Sequence, residues 1–146
     1  MNTGNARVDA ISAMPITGPN TPLHWYSAKE FRSGRGRPNY LAVAMLSYFV
    51  YLYEAVEDCD ETTSGRWMRK RFKEDKARLT YGLLADVFTC SKGQAADACK
   101  FLRDRGMVTL EFRTTKIDGV VTKNALYIDV VPEAIEKVLF PIQKSV

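Results

Sequence analysis

The period of the apolar positions changes several times along this chain. From Tyr40 to Tyr53 almost every residue is apolar or aromatic, interrupted by Ser47. Fourteen residues are too few to cross a bilayer, so the stretch reads as a buried helix rather than a membrane span. Leu41, Met45, Tyr48, Leu52 and Ala55 are spaced four, three, four and three apart, which places them on one helical stripe. Val43, Phe49, Val50 and Tyr53 cover much of the remaining surface. A long apolar helix over about 40–56 therefore needs cover on more than one side. Two covers fit: the chain's own N-terminal segment, or a second copy in a homodimer.

Leu79 to Val108 carries the most specific pattern. Thr80 is placed to cap a short helix whose apolar face is Leu83, Leu84 and Val87. Phe88-Thr89-Cys90 forms a turn, and Ser91 with Gln94 three residues on is a capping box that starts a second helix. There Ala95, Ala98, Cys99 and Leu102 recur at helical spacing, and Gly106 closes the helix after the basic turn Arg103-Asp104-Arg105. Two short helices on a tight turn have helix-turn-helix geometry. The period then drops to two. Val108, Leu110 and Phe112 alternate inward against Thr109, Glu111 and Arg113. Asp118-Gly119 is a type I′ hairpin signal, and Leu126 and Ile128 face inward on the return strand. Pro132 opens a short C-terminal helix with Ile135, Val138 and Leu139 as its stripe, and Pro141 stops it.

The expected fold is therefore α+β: a winged helix-turn-helix, with a three-helix core plus a β-hairpin wing, a long apolar N-terminal helix and a short C-terminal helix. Residues 1–22, rich in Thr, Asn, Gly and Pro, read as a flexible arm. Residues 23–146 read as one domain, with the helix-turn-helix at about 80–105 and the wing at about 107–130. Leu23, Trp25, Tyr26 and Phe31 supply apolar bulk to dock the start of that domain on its core.

Composition narrows the function classes. With 146 residues, 46% hydrophobic and 26% charged, the chain suits one folded domain. Three cysteines without a C-x-x-C pair and a single histidine, His24, argue against zinc ribbons, disulfide scaffolds and histidine-dependent catalysis. No Walker loop, zinc spacing or defensible Ser-His-Asp order is present, so neither enzymatic activity nor a cofactor is expected. The tyrosines read as core and interface groups. The first residues lack a signal peptide's pattern, and a cytoplasmic location is expected.

The net charge of +4 is unevenly placed. Residues 32–38 carry +3, residues 39–65 carry −5, and residues 66–78 carry seven bases and two acids. That last cluster, Arg66, Arg69, Lys70, Arg71, Lys73, Lys76 and Arg78, reads as a loop or short helix with the charge density that phosphate binding needs. A solvated basic face is its plain alternative. Gly34-Arg35-Gly36-Arg37-Pro38 contains the Arg-Gly-Arg-Pro core of the AT-hook, in which arginines enter a narrow minor groove; a basic loop is the alternative. Glu57 to Gly65 reads as an acidic loop.

The string SKGQAADACKFLRDRGMV, continuing to NALYIDV, resembles the recognition helix and wing of bacterial and phage winged-helix proteins. With the apolar helix ahead of Arg66-Trp67-Met68, residues 39–139 are similar to the N-terminal domains of phage and plasmid replication initiators (replisome organisers). The stretch between Trp67 and Thr80 is longer than that pattern, and no helicase-loading domain follows. The resemblance implies a non-catalytic protein that binds double-stranded DNA in replication initiation or transcription control of a phage or mobile element. It places Lys92, Gln94, Asp97 and Lys100 on the reading face, with Gln94 suited to adenine, Lys92 to guanine or phosphate, and Asp97 to a cytosine amine. Arg113, Lys116 and Lys123 become the wing's phosphate contacts. Phe101, also on the outer side, suits a partner surface or packing against the arm. The alternative is an adaptor or inhibitor that docks on a larger nucleic-acid-processing complex.

Overall fold

A computed structural model describes residues 3–14, 21–59 and 66–139, with the side chains of residues 57–59 and 66–67 outside the description. The architecture is mixed α+β. Among the described residues it has five α-helices, a small three-stranded antiparallel sheet and a separate two-stranded ribbon. In chain order these are α1 (Ala6–Ser12), α2 (Tyr40–Leu52), β1 (Val56–Cys59), β2 (Arg66–Arg69), β3 (Ala77–Leu79), α3 (Tyr81–Phe88), α4 (Lys92–Asp104), β4 (Val108–Ile117), β5 (Val120–Val130) and α5 (Pro132–Leu139). Short 3-10 turns occupy Leu23–Tyr26 and Lys29–Phe31.

The segment expected to be a flexible arm carries α1. Asn5 caps it by accepting from the Arg7 and Val8 amides, and Val8 and Ile11, one turn apart, are fully buried. Ser12 accepts from the Ala55 amide at 2.7 Å. The short apolar spacing escaped notice among Thr, Asn and Gly. Residues 15–20 of that expected arm lie outside the described residues. Downstream, Trp25 and Phe31 are buried, and the Trp25 indole donates to the Val138 carbonyl of α5 at 2.9 Å. Leu23 remains exposed.

A long apolar N-terminal helix is not seen. The N-terminal helix is the seven-residue α1, and the apolar stretch forms the internal, 13-residue α2. It stops at Leu52 rather than near 56 because Tyr53 turns its ring into the core. Ala42, Val43, Met45, Leu46, Phe49 and Val50 are all buried within the chain. That leaves a second copy only a half-buried strip on α2, including Ala44, Tyr48 and Tyr51.

The acidic loop and basic cluster also differ from expectation. β1 and β2 pair antiparallel, Val56 with Arg69 and Cys59 with Arg66, and the expected loop positions Asp60 to Gly65 lie outside the described residues. Residues 71–76 form successive bends and lead into β3, so no helix forms in the cluster.

Local signals hold from Thr80 to Gly106. Thr80 caps α3, Thr89 turns the chain at φ 51°, and both halves of the Ser91–Gln94 capping box are made. Of α3's expected apolar face, only Leu84 is fully buried, while Leu83 is 44% exposed and Val87 is exposed too. The strand order is β3-β5-β4. Asp118 and Gly119 both have positive φ, as a type I′ turn requires. Beyond Arg113 the register shifts: Arg113 opposes Ala125 but Thr115 opposes Thr122, and Asn124 takes φ 58° to absorb the extra residue. Phe112 was expected inside, yet it is 55% exposed, because α3 does not cover the sheet that far along the hairpin. α5 buries Ile135, Val138 and Leu139; the expected stop, Pro141, lies outside the described residues.

Tyr53 ties the helices to the sheet. Its buried hydroxyl accepts from the Ala77 amide at 3.1 Å and donates to the Ile128 carbonyl at 2.7 Å, bridging β3 and β5. Removing it orphans a buried N–H and a buried C=O. Tyr53→Phe is therefore expected to lower unfolding stability by about 1–3 kcal/mol, read as a reduced urea midpoint with an unchanged slope. An unchanged midpoint would show that the bridge contributes nothing.

Candidate nucleic-acid interface

The residues singled out for DNA contact separate into two groups. One is locked into a charged network on the outer face of the sheet. In the β4–β5 pairing Glu111 opposes Tyr127 and Arg113 opposes Ala125, so these side chains share the face opposite the helical core. Arg113 donates to both Asp75 oxygens at 2.7 and 2.9 Å, to both Glu111 oxygens at 2.8 and 3.0 Å, and stacks 4.3 Å over the Tyr127 ring. Lys76 reaches Glu111 at 2.8 Å, and Arg78 reaches Glu74 at 3.0 Å. Tyr127 donates to the other Glu74 oxygen, and the Lys70 ammonium donates to the Glu74 carbonyl. These bonds set the charge states. Hydrogen bonds from Arg113, joined at Glu111 by one from Lys76, hold Asp75 and Glu111 down at about 2. The same two carboxylates push Arg113 upward. Arg113 is thus a fastener of the 74–78 segment to the sheet, not the free wing contact expected.

Asp129 completes this face under α1. Its carboxylate is buried, and Arg7 of α1 meets it at 2.5 Å. Burial raises the Asp129 pKa, with Arg7 opposing the shift. In the basic cluster, Arg71 lies 4.2 Å over the Tyr51 ring, and Arg69 is exposed at the end of β2. Arg66 is placed in β2 by its backbone.

The second group is exposed. Lys73, Lys92, Lys100, Lys116 and Lys123 all point to solvent and form none of the ion pairs found among the described residues. The split between arginines and lysines has a physical basis. A guanidinium presents a rigid fork that suits several fixed acceptors, whereas an ammonium is a mobile point charge. Lys92 stands at the N-terminus of α4, and its stem crosses α3 at Gly82, where a Cβ would come within 3.4 Å of its Cε. Lys73 and Lys116 line one open groove between the 71–76 bends and the hairpin tip, of about 580 Å³, with Arg78 on its wall. Arg78 also lines an apolar groove of about 280 Å³ between α3 and the hairpin, which includes Leu83, Phe112 and Ile117. Arg78 is common to both grooves, so the 71–76 bends, the hairpin and α3 adjoin one another, and Lys92 meets α3 at Gly82.

Gln94 is exposed, but its Oε1 accepts from the Ser91 amide at 2.9 Å in the capping box. A bidentate bond to adenine needs that oxygen, so cap and base reading exclude each other. Asp97 is exposed on the same face of α4 and stands free to repel phosphate. Phe101 is half-buried beneath the Arg105 guanidinium, 4.6 Å away, so it is not an open partner surface.

Arg35 and Arg37 lie elsewhere. Arg105, at the C-terminal end of α4, donates to the Glu30 and Arg32 carbonyls and holds their loop there. Lys92 is at the other end of the helix, roughly 20 Å away at 1.5 Å per residue. The Arg-Gly-Arg-Pro segment is a closed turn: Ser33 donates to the Arg37 carbonyl, Gly36 donates to Ser33, and Arg32 bridges to Pro38. A segment that follows a minor groove runs extended, and this one is instead closed on itself as a basic turn. The network around Arg113 was missed. Its signal was present in the two acids inside the basic cluster and in Glu111 and Arg113 two apart on one strand face.

Comparisons with protein-family models, with curated proteins and with solved structures find no match for this chain. No helix among the described residues is long and apolar enough to cross a membrane. The described residues contain no cluster of three or more His, Cys, Asp or Glu suited to a metal ion.

Asp75 and Glu111 have folded-state pKa values below their ordinary ones, so their ion pairs support the fold above the ordinary carboxylate range and are lost as pH falls to about 2. Asp129 acts in the opposite sense, since protonation relieves its burial. The melting temperature is expected to fall between about pH 4.5 and pH 2, and to fall less steeply in Arg113→Met, as followed by circular dichroism. Equal slopes would show that the network does not govern acid stability.

Proposed function

We propose that the chain is a non-catalytic winged-helix protein that binds double-stranded DNA chiefly through its phosphates, in replication initiation or transcription control of a phage or mobile element. The order α3, turn, α4, β4, β5, with β3 against β5, supports the winged-helix reading, in which α2, α3 and α4 form the helical core and the hairpin is the wing. The genetic setting rests on the resemblance of residues 39–139 to replication initiators.

One observation carries the DNA reading: several exposed lysines outside the ion pairs found among the described residues lie on or beside α3, the hairpin and the 71–76 bends. Lys92 at the start of α4, Lys116 and Lys123 on the hairpin, and Lys73 beside it suit phosphate oxygens along one duplex. Base reading has little support. Gln94 is held by its cap, Asp97 repels phosphate, and Arg113 is fastened to acids. Binding is accordingly expected to be salt-sensitive and weakly selective.

A second reading, an adaptor docking on a larger nucleic-acid-processing complex, is favoured by the apolar groove between α3 and the hairpin, where Leu83 and Phe112 are exposed.

Fluorescence anisotropy with duplexes of unrelated sequence, titrated over a salt series, separates the two. Lys73→Ala with Lys116→Ala should weaken binding to every duplex alike and flatten the salt dependence by roughly 0.9 per lost phosphate contact. Gln94→Ala should lower thermal stability through its cap and leave site preference unchanged. Absence of binding at low ionic strength overturns the DNA reading and leaves the adaptor.

A further inference from the structure

We propose that β4 is a self-association edge, on which two copies of the chain pair antiparallel about a two-fold axis at Phe112 and join their sheets into one of six strands. The strand order leaves β4 at the margin of the sheet, and at ten residues it is far longer than β3, the opposite edge. No described strand lies beyond it. A long, unprotected edge is a template for another strand.

The backbone phase limits the register. The Val131 amide donates to the Met107 carbonyl, so residues in phase with Met107, namely Thr109, Glu111 and Arg113, turn their amides and carbonyls toward β5. The alternate residues, Val108, Leu110, Phe112 and Thr114, then turn theirs toward the open edge. A symmetric antiparallel pair that exchanges hydrogen bonds at its axis must centre on one of those alternate residues.

Charge selects among them. With the axis at Phe112, Glu111 of each copy faces Arg113 of the other on the outer face of the sheet. Centring on Leu110 places Glu111 against Thr109, and centring on Thr114 places it against Ile117. A centre at Glu111 or Arg113 keeps the phase as a non-hydrogen-bonded pair but opposes like charges. The Phe112 axis brings together two rings that are each 55% exposed in the single chain. It also sets Leu110 against Thr114 and Thr109 against Thr115, with no like-charged pair. The same register brings Lys116 opposite Val108 of the other copy at the end of the paired strand, whereas Lys123 lies on β5, away from the shared edge.

A contact limited to one strand and two rings lies at the small end of protein interfaces, so association is expected to rise with concentration rather than be permanent. Sedimentation equilibrium over a wide concentration range should show a monomer–dimer equilibrium for the whole chain. Phe112→Lys places two like charges on the axis and should leave a monomer. Phe112→Pro removes an edge-facing amide that β5 does not use and should have the same effect, with far-UV circular dichroism unchanged in both variants. If either variant fails to fold, amide exchange on the unmodified protein decides: Leu110, Phe112 and Thr114 should gain protection at high concentration and lose it on dilution. A chain that stays monomeric throughout, a dimer that survives both substitutions, or concentration-independent exchange at these amides overturns the proposal.

Discussion

One phenolic hydroxyl fastens the end of α2 to two strands of the sheet. Tyr53 leaves the end of α2 with its ring in the core and its oxygen between the Ala77 amide and the Ile128 carbonyl. In an interior of low dielectric both groups need a partner. Satisfying them from a helix end fixes where α2 stops, how closely β3 approaches β5, and thereby where the 71–76 bends must lie. The placement of Glu74 and Asp75 over the sheet, and so of Arg113, follows from that geometry.

Short-range chemistry was legible before any coordinates. Ser91 with Gln94, Thr80 ahead of α3 and Asp118-Gly119 each act over a few residues, and each forms as its local pattern indicates. What could not be read depends on partners far along the chain. The acids of the 66–78 cluster look incidental until the register puts Glu111 and Arg113 beside them. Phe112 follows the inward alternation correctly, but whether anything covers that face depends on the length of α3. Val8 and Ile11 are two residues in a polar segment, and only α5 and the sheet give them a place to bury. The candidate site was half legible: exposure of the lysines followed from helix and strand periodicity, whereas the fastening of Arg113 and the closed turn around Arg35 and Arg37 did not.

The division between arginine and lysine bears on what the basic composition means. Counting charges treats the two alike and suggests a broad electropositive surface. In the fold, several arginines are joints: Arg7 to Asp129, Arg78 to Glu74, Arg105 to two carbonyls, Arg113 to two acids. Exposed lysines such as Lys73, Lys92, Lys100, Lys116 and Lys123, with Arg35 and Arg37, stay outside the ion pairs found among the described residues. Under the proposed DNA reading, such charges would hold a duplex without specifying its sequence, and selectivity would have to come from duplex shape or a companion protein.

The pairing of α1 with the late elements has a consequence for how the molecule comes into being. Arg7 waits for Asp129, and the Trp25 indole bonds a carbonyl 113 positions further on. On a ribosome the first helix and the first tryptophan emerge long before the groups that bury them. They must stay solvated, or be held by other factors, until synthesis is nearly finished. Closure of the N-terminal segment is therefore a late, non-local step, and contacts of such high separation slow folding.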